Sequence, residues 1–220
     1  MIIAIDGTAA SGKGTLGRTL AMKLGLDYLD TGLLYRGAAF NLLNAGLDIE
    51  QASEDEMVKS AEQLDLTTLS SQSNTLRTAE IADAASALAA VPAIRQALFE
   101  KQRQFAHHPP SGKGAVLDGR DIGTVIVPEA DAKFYVDAAA DIRATRRHME
   151  LEASGHQTEY SEVLSDIIKR DCRDKNRTVA PLIAADDAFF IDSSNMNAEE
   201  VLHTALQVLA DNNLFVSEPA

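Results

Sequence analysis

The chain of 220 residues is 45% hydrophobic and 24% charged, which is typical of one globular α/β domain and excludes a disordered segment. Its 33 acidic and 20 basic side chains give a formal charge of −13, so binding to a nucleic acid polymer or an anionic membrane through bulk charge is not expected. The single cysteine, Cys172, cannot form an internal disulfide. No stretch is apolar enough to span a membrane, and we expect a monomeric, cytoplasmic protein.

The chain begins with an apolar run at residues 2–5, which leads into the glycine-rich sequence GTAASGKGT at residues 7–15 and then into a helical pattern. Strand, glycine-rich loop and helix in this order are the context of a phosphate-binding P-loop. Backbone N–H groups of such a loop bind phosphate oxygens, and Lys13 would reach the β- and γ-phosphates. The hydroxyl that commonly follows the lysine comes one position later, at Thr15. The ending GKGT resembles that of nucleoside monophosphate kinases more than that of GTPases or motor ATPases.

The segment after the P-loop helix contains one short strand and then only helical patterns up to about residue 106. Ser53 and Glu56 form a capping box at the start of one helix, and Pro92 suits the first turn of another. The polar stretch 67–74 is predicted to be a loop or a frayed strand. Because no strand alternates with these helices, we predict an inserted helical subdomain. The predicted elements are a strand at 26–30 and helices at 31–44, 53–64, 78–90 and 92–106.

The second half of the chain returns to alternating strands and helices. A second SGKG sequence, at residues 111–114, precedes a strand instead of following one and is therefore not expected to bind phosphate. Alternating strands and helices with right-handed crossovers give a parallel sheet covered on both faces. We therefore predict an α/β P-loop NTPase fold with a five-stranded parallel sheet. The predicted elements are strands at 115–118, 132–136 and 189–192 and helices at 141–154, 160–175 and 198–210, followed by a flexible tail at 211–220.

Two polar motifs lie where predicted strands end. The sequence DGRD at residues 118–121 turns after a strand, which places its arginine and its second aspartate at the carboxyl edge of the sheet, where open α/β folds bind ligands. The sequence DTGLLYR at residues 30–36 joins a strand end to a helix, with its tyrosine and arginine one turn in. A core tyrosine and a surface arginine explain this second motif equally well. The side chains concerned are Tyr35, Arg36, Arg120 and Asp121.

Two neighbouring predicted helices carry a cluster of arginines in an otherwise acidic chain. On the second helix, Arg170, Asp174 and Arg177 are spaced i, i+4, i+7 and share one face. A solvated hairpin held by internal ion pairs, Asp166 with Arg170 and Arg170 with Asp174, is one explanation. Beside a P-loop, we favour arginines that clamp phosphates and close over the nucleotide. The cluster consists of Arg143, Arg146, Arg147, Arg170, Arg173 and Arg177.

Four motifs in this order resemble those of one known family. They are IDGTAASGKGT at 5–15, LDTGLLYR at 29–36, LDGRDIGT at 117–124 and RDCRDKNRTVAPL at 170–182. On these motifs the chain closely resembles the bacterial cytidylate kinases, a family within the P-loop nucleoside monophosphate kinases, from residue 2 to about residue 209. The hallmark turn of adenylate kinases and the guanine motif of GTPases are absent.

The resemblance implies which residues bind each substrate. ATP is expected to contact Gly7, Thr8, Ala9, Ala10, Ser11, Gly12, Lys13, Gly14, Thr15 and Arg146. The acceptor monophosphate is expected to contact Thr31, Tyr35, Arg36, Ser86, Arg95, Asp118, Gly119, Arg120, Asp121, Arg170 and Asp174. Among these, the cytosine edge would be read by Ser86, Arg95 and Asp121. The catalytic charges would be those of Lys13, Arg120, Arg170 and Arg177.

The resemblance also implies Mg²⁺-dependent transfer of the γ-phosphoryl group of ATP to CMP, and to dCMP as well. Mg²⁺ would be held mainly by ATP phosphates and water, with Thr15 as the protein ligand. Two alternatives stay open: a kinase for another small acceptor such as UMP, and a P-loop nucleotide switch without an acceptor. The expected division is a core of residues 1–44, 115–145 and 177–210, an acceptor-binding insert at 45–106 and a helical-hairpin lid at 146–176.

The chain departs from the family at the P-loop and in the insert. The family loop begins Gly-Pro-x-Gly, whereas here Thr8 and Ala10 replace the proline and the second glycine. A positive φ would strain Ala10, so we expect the loop to use a permitted conformation there. The stretch 67–77 replaces a longer strand–turn–strand segment, which leaves open whether the insert contains a small sheet.

Overall fold

The computed structural model describes residues 1–49, 51–69, 75–155 and 157–215. The strands of this part of the chain are β1 (Ile2–Gly7), β2 (Asp27–Asp30), β3 (Ala115–Gly119), β4 (Ala132–Asp137) and β5 (Phe189–Asp192). They form one five-stranded sheet in the order β2-β3-β1-β4-β5, and every neighbouring pair is parallel. The predicted sheet is therefore confirmed.

Helices cover both faces of this sheet. They are α1 (Lys13–Leu24), α2 (Thr31–Asn44), α3 (Glu54–Glu62), α4 (Leu66–Leu69), α5 (Ala79–Leu88), α6 (Pro92–His107), α7 (Ala140–Ala153), α8 (Tyr160–Asn176) and α9 (Ala198–Asp211). None of the helices in the described part of the chain is long and apolar enough to cross a membrane.

The central strand β1 is buried on both faces. Ile3 and Ile5 belong to a cluster with α1 and α9 on one face, whereas Ala4 belongs to a cluster with α6 on the other. Parallel strands that are covered on both sides read as continuous apolar runs, and this explains the sequence IIAI at the start of the chain. The polar loops that follow these strands are left at one edge of the sheet.

The insert has its own apolar core. Its first helix starts with the predicted capping box, in which the N–H of Ser53 donates to Glu56 at 2.8 Å. The core includes Leu88 and Leu98 from two helices of the insert, and Leu42 of α2 packs with them.

One prediction for the insert is wrong. Residues 66–69 form the helical turn α4 instead of a loop or frayed strand, because Leu69 is buried in the core of the insert. Residues 70–74, which the same prediction covers, lie outside the described residues. In the described part of the insert every regular element is helical, and no small sheet is present there.

The helices α7 and α8 form the predicted hairpin. Their shared core is small and consists of Ala144, Val163 and Ile167. Large apolar side chains such as Met149 and Ile168 are exposed on the outside of the hairpin. Apolar burial alone therefore does little to fix the hairpin against the sheet.

Candidate active site

A cleft of about 790 Å³ opens at the carboxyl ends of β1, β2 and β3, between the insert and the α7–α8 hairpin. This is the edge at which open α/β sheets bind ligands. The predicted site residues that line it are Ala9, Ala10, Gly12, Lys13, Gly14, Thr15, Thr31, Tyr35, Arg36, Ser86, Arg95, Asp118, Gly119, Arg120, Asp121, Arg170, Asp174 and Arg177. The predicted site residues that do not line it are Gly7, Thr8, Ser11 and Arg146.

The P-loop turns sharply between β1 and α1. Gly7 has a φ of 151°, and a Cβ at this position would lie 1.9 Å from the carbonyl oxygen of Val136, so only glycine fits. The hydroxyl of Ser11 donates to the carbonyl oxygen of Thr8 at 3.0 Å, and Nζ of Lys13 donates to the same oxygen at 3.4 Å. The conformation of the loop therefore depends on three residues that do not line the cleft: Gly7, Thr8 and Ser11.

Ala10 adopts a positive φ of 59°, in contrast to the expectation of a permitted conformation. This left-handed conformation costs a residue other than glycine about 1–2 kcal/mol, and it persists only where the surroundings fix it. Thr8 provides one such restraint, because its hydroxyl donates to Asp137 at 2.5 Å. The proline that the family commonly has at position 8 could not make this hydrogen bond. Thr8 and Ala10, the two residues that depart from the family pattern, therefore lie in one loop, and Thr8 helps to restrain it.

Arg143 provides a second restraint and does not face the cleft. It is buried, and its guanidinium donates to the carbonyl oxygens of Ala9 at 3.1 Å and Ala138 at 2.7 Å. It also donates to both carboxylate oxygens of Asp171 on α8, at 2.6 and 3.1 Å. Arg143 therefore joins the P-loop to both helices of the hairpin, and the prediction that it clamps phosphate is wrong.

Arg146 also points away from the cleft. Its guanidinium donates to the carbonyl oxygens of Ser193 at 2.6 Å and Met196 at 3.3 Å, in the loop after β5. Its predicted contact with ATP stays a prediction. Arg147 does line the cleft, where it forms an ion pair with Glu150 at 3.2 Å.

Asp121 lies between arginines from opposite walls of the cleft. Arg95 of α6 donates to one of its carboxylate oxygens, and Arg177, just after α8, donates to the other at 3.3 Å. The hydroxyl of Ser86 is buried nearby and has no hydrogen-bond partner among the described residues. The ring of Tyr35 lies 6.0 Å from the guanidinium carbon of Arg95. These groups line one cleft, and the hydroxyl of Ser86 is available there to a ligand.

A second basic group lies closer to the P-loop. Arg120 donates to Asp174 at 2.7 Å; burial opposes the charge on Arg120, but Asp174 outweighs it and raises the pKa of Arg120. Nε of Arg170 is buried without a hydrogen-bond partner in the described part of the chain. Burial and the nearby charge of Arg120 lower the pKa of Arg170 to about 9. A buried cation in this state fits a bound anion. The alternative explanation of the arginine cluster paired Arg170 with Asp174, whereas in the structure Asp174 accepts its hydrogen bond from Arg120.

The floor of the cleft joins the P-loop to β2 and β3. The hydroxyl of Thr31 donates to the carbonyl oxygen of Asp118 at 2.7 Å, and Arg36 lies 4.0 Å from Asp30. Burial lowers the pKa of Lys13 and raises that of Asp118, because it disfavours both charged forms. An anionic ligand beside Lys13 would favour its charged form.

The acids around the cleft do not form a metal site by themselves. Within the ranges that the structure describes, no three His, Cys, Asp or Glu side chains are grouped so that they could hold a metal ion. Thr15 is exposed at the start of α1 and lines the cleft. Its hydroxyl is therefore available to an ion bound on a phosphate, and this role stays a prediction.

Sequence reasoning missed three acids that hold the site together: Asp6, Asp137 and Asp171. Asp6 and Asp137 lie at the carboxyl ends of strands, as Asp30 and Asp118 do, and this shared position was the available signal. Asp171 gave no signal, because its partner lies 28 residues away in the sequence.

A P-loop and a second wall lined by arginines in one cleft, with further arginines on a helical hairpin beside them, are typical of a phosphotransferase of the P-loop nucleoside monophosphate kinase class. A sequence model of the family described as Cytidylate kinase matches residues 3–211. The chain belongs to the cytidylate kinase family, and the resemblance seen in its motifs is confirmed.

Curated relatives support this assignment over nearly the full chain. The cytidylate kinase of Paramagnetospirillum magneticum is 50% identical over 208 residues, which cover 94% of this chain and 97% of that protein. The cytidylate kinase of Azorhizobium caulinodans is 52% identical over 210 residues, covering 95% and 98%.

Solved structures support the fold alone. An uncharacterized protein from Eubacterium ventriosum aligns with a TM-score of 0.52 at 14% identity and covers 96% of this chain and 98% of that one. An unliganded sugar kinase from Janibacter sp. HTCC2649 aligns with a TM-score of 0.50 at 11% identity, covering 95% and 94%.

Proposed function

We propose that this protein transfers the γ-phosphoryl group of ATP to CMP, and also to dCMP, giving CDP or dCDP and ADP. The observation that carries the proposal is that Lys13 of the P-loop and the paired set of Asp121 with Arg95 line the same cleft. A nucleotide switch needs only the first of these. The second is a polar site on the opposite wall, and it suits a small acceptor.

The base of the acceptor would be read by Ser86, Arg95 and Asp121. Cytosine presents an amino group as a hydrogen-bond donor and, next to it, a ring nitrogen and a carbonyl oxygen as acceptors. A carboxylate oxygen of Asp121 can accept from the amino group, and Arg95 and the hydroxyl of Ser86 can donate to the acceptors. Uracil presents a carbonyl oxygen in place of the amino group, and this would face the carboxylate unfavourably. The set therefore favours CMP over UMP.

The phosphates would meet between the two walls. Arg36 and Arg120 would bind the phosphate of CMP, and Lys13 would bind the β- and γ-phosphates of ATP. Arg170 and Arg177 would stabilise the phosphoryl group during its transfer. An oxygen of the CMP phosphate forms a bond to the γ-phosphorus, and the bond from that phosphorus to the oxygen it shares with the β-phosphate breaks. The second pKa of such a phosphate is about 6, so the attacking oxygen is already ionised and no general base is needed.

A magnesium ion fits this donor set as a partner of ATP. The exposed hydroxyl of Thr15 faces the cleft, and Mg²⁺ in kinases commonly keeps several waters and binds substrate phosphates. Thr15 and waters would hold the ion on the ATP phosphates. When bound, it supplies neutralising charge to those phosphates.

We propose that the chain divides into a core, an acceptor-binding insert at 45–106 and a lid at 146–176. The insert forms one wall of the cleft and the lid forms the other. Arg173 of α8 donates to Asp83 of α5 at 2.9 Å and so joins lid to insert across the cleft. Closure of both walls would exclude water, which otherwise competes as the acceptor.

The test is ADP release with MgATP and each of CMP, dCMP, UMP, AMP, GMP and shikimate. We expect CMP to be turned over well above UMP, AMP, GMP and shikimate. Lys13→Ala should lose on the order of 10²–10³ in kcat, as other lost charge-stabilising donors do. Lys23→Ala, an exposed lysine on the same helix, is the matched control and should be unchanged. Equal turnover with UMP or AMP would contradict the acceptor assignment, and ATP hydrolysis unaffected by any of these acceptors would indicate a switch.

A further inference from the structure

The carboxylate of Asp6 is buried between the two substrate loops, and the proposed reaction does not use it. Asp6 lies in β1 directly before Gly7, the first residue of the P-loop, and is only 4% exposed. One of its oxygens accepts the N–H of Ile122 and the other that of Gly123, both at 2.8 Å. A carboxylate with both oxygens on neighbouring backbone N–H groups fixes the position of that backbone.

These N–H groups open a π-helical turn, Ile122–Ile126, which directly follows Arg120 and Asp121. The side chain of Asp121, at the amino end of the turn, makes no capping hydrogen bond, because it is bound to arginines in the cleft. The first N–H groups of a helical turn have no partner within the turn itself. Asp6 therefore supplies, from a different strand, the cap that the turn lacks.

The sheet fixes the other end of the same segment. In the pairing of β1 with β3, Asp6 lies opposite Gly119. The acceptor loop is thus held at Gly119 by the sheet and at Ile122 by the carboxylate of Asp6. Only Arg120 and Asp121 span the gap between these fixed points. A displacement of the backbone at Ile122 would therefore be passed to the two side chains that face the acceptor.

A buried acid at this position lowers the stability of the fold. Burial raises the pKa of Asp6 to about 7, and the two backbone N–H groups oppose this only in part. The ionised form therefore destabilises the fold at neutral pH relative to an uncharged side chain. The stability of the fold therefore does not explain why this position carries a carboxylate. Its two hydrogen bonds to the backbone of the acceptor loop do explain it.

We propose that Asp6 is a positioning residue for the acceptor, which holds Arg120 and Asp121 in place and so sets the affinity and the selectivity for CMP. The inference rests on the proposed function, since these two side chains serve an acceptor only if CMP binds there. The ATP site should be affected much less, because Gly7 is held separately by its pairing with Val136 of β4.

The test is Asp6→Asn, measured for KM of CMP, KM of ATP and the ratio of CMP to UMP turnover. An asparagine has one acceptor oxygen, so one of the two backbone N–H groups would face an NH₂ group. We expect KM for CMP to rise about tenfold, which equals about 1.4 kcal/mol and is the scale of one lost hydrogen bond. The preference for CMP over UMP should fall, while KM for ATP should stay within about threefold.

Asp131→Asn is the matched control. The carboxylate of Asp131 accepts the backbone N–H of Ile2 at 2.7 Å, so it makes the same kind of contact at the opposite end of β1. It lies far from the acceptor loop and should leave both KM values unchanged. A merely structural role of Asp6 would alter KM for CMP and KM for ATP alike, and a disturbed P-loop would raise mainly KM for ATP. Either result would overturn the proposal.

Gly123→Ala crowds the same turn without changing Asp6. A Cβ at Gly123 would lie 3.1 Å from the side chain of Lys133 and 3.5 Å from the carboxylate of Asp6. We expect the same rise in KM for CMP without a change for ATP, and this variant decides the question if Asp6→Asn does not fold. Wild-type enzyme that does not phosphorylate CMP would overturn the proposed function. Active wild type with unchanged acceptor kinetics in both variants would overturn only the positioning role.

Discussion

The two walls of the cleft are held in different ways. The insert has a continuous apolar core in which Leu76, Leu88 and Leu98 are fully buried. Among the described residues of the α7–α8 hairpin, the apolar side chains that are buried between the two helices are Ala144, Val163 and Ile167. Its attachment to the rest of the molecule is polar. Arg143, which binds Asp171 within the hairpin, also donates to the carbonyl oxygen of Ala9 in the P-loop, and Asp174 binds Arg120.

This difference matches the work that each wall would do. Apolar packing is dense and insensitive to ligand charge, and it suits the wall that carries Ser86 and Arg95, the groups proposed to read the base. Ion pairs can exchange partners when a phosphate arrives, and they suit the wall that carries Arg170. The comparison predicts that the hairpin depends on charge and pH, whereas the insert depends on volume.

Among the variants that test this comparison of the two walls, the largest effect is expected at Arg143. Arg143→Met would leave the half-buried carboxylate of Asp171 and the carbonyl oxygen of Ala9 without their donor. Removing one partner of such a pair costs about 3–5 kcal/mol of folding stability. Misplacement of the P-loop and of the hairpin that Arg143 holds should cost about 10² in kcat. Urea unfolding and kcat at saturating CMP and ATP measure the two effects. Lys175→Met, an exposed residue of α8, is the control; kcat within threefold in a folded Arg143→Met enzyme would contradict the role of charge.

The insert is expected to respond to lost volume. Leu98→Ala removes a fully buried side chain one turn after Arg95 on α6, and such changes cost about 2–5 kcal/mol. We expect a rise in KM for CMP with KM for ATP unchanged. Leu209→Ala on α9 removes an equally buried leucine in the other core. It should cost similar stability without the rise for CMP, and a matching rise would show that the effect is general.

Much of this architecture was predictable because it depends on local patterns. The P-loop, the capping box at Ser53 and the alternation of strands and helices each follow from a few neighbouring residues, and each is confirmed. The helical turn Leu66–Leu69 was not predicted, since its polar sequence favours a loop and only burial of Leu69 in the insert core makes it helical. Local propensity gives way to tertiary packing in such a segment.

The partners of the arginines were less predictable. Arg143 and Arg170 look alike in the sequence, as basic residues on neighbouring helices. In the structure Arg143 binds the P-loop backbone and Asp171, and Arg170 faces the cleft. The choice depends on how two helices pack against the loop, and no spacing within one helix encodes it. The monomeric state and the contact of Arg146 with ATP stay predictions.

Acid should loosen the hairpin before the insert. Burial opposes the charge on Asp174, but Arg120 and Arg170 outweigh it and hold the pKa of Asp174 below its usual 3.8. A carboxylate whose pKa is depressed by folding stabilises the fold above its unfolded pKa, and this contribution is lost as the pH falls through the folded pKa. We therefore expect pepsin, at a pH below about 3.8, to cleave within 146–176 before it cleaves within 45–106.

A variant separates this effect from general acid unfolding. Asp174→Asn lacks the charge at every pH, so thermolysin at neutral pH should cleave its hairpin about tenfold faster than in wild type, the equivalent of about 1.4 kcal/mol. Asp211→Asn, at the end of α9 and outside the cleft, is the control and should behave as wild type. Cleavage that starts in the insert in both proteins would contradict the comparison.

The smallest effect is expected where the two walls touch. Arg173 of the hairpin and Asp83 of the insert form an ion pair at 2.9 Å with side-chain exposures of 35% and 78%. Exposed pairs of this kind contribute at most about 1 kcal/mol. If the pair helps the walls to close over CMP, then Asp83→Arg and Arg173→Asp should each raise KM for CMP by less than about fivefold, since reversal replaces an attraction by a repulsion.

The double reversal should restore KM to within about twofold, and the single effects should shrink in 0.5 M salt, where the screening length is about 4 Å. Additive losses in the double variant would show that the two side chains act separately, and the walls would then meet without this contact.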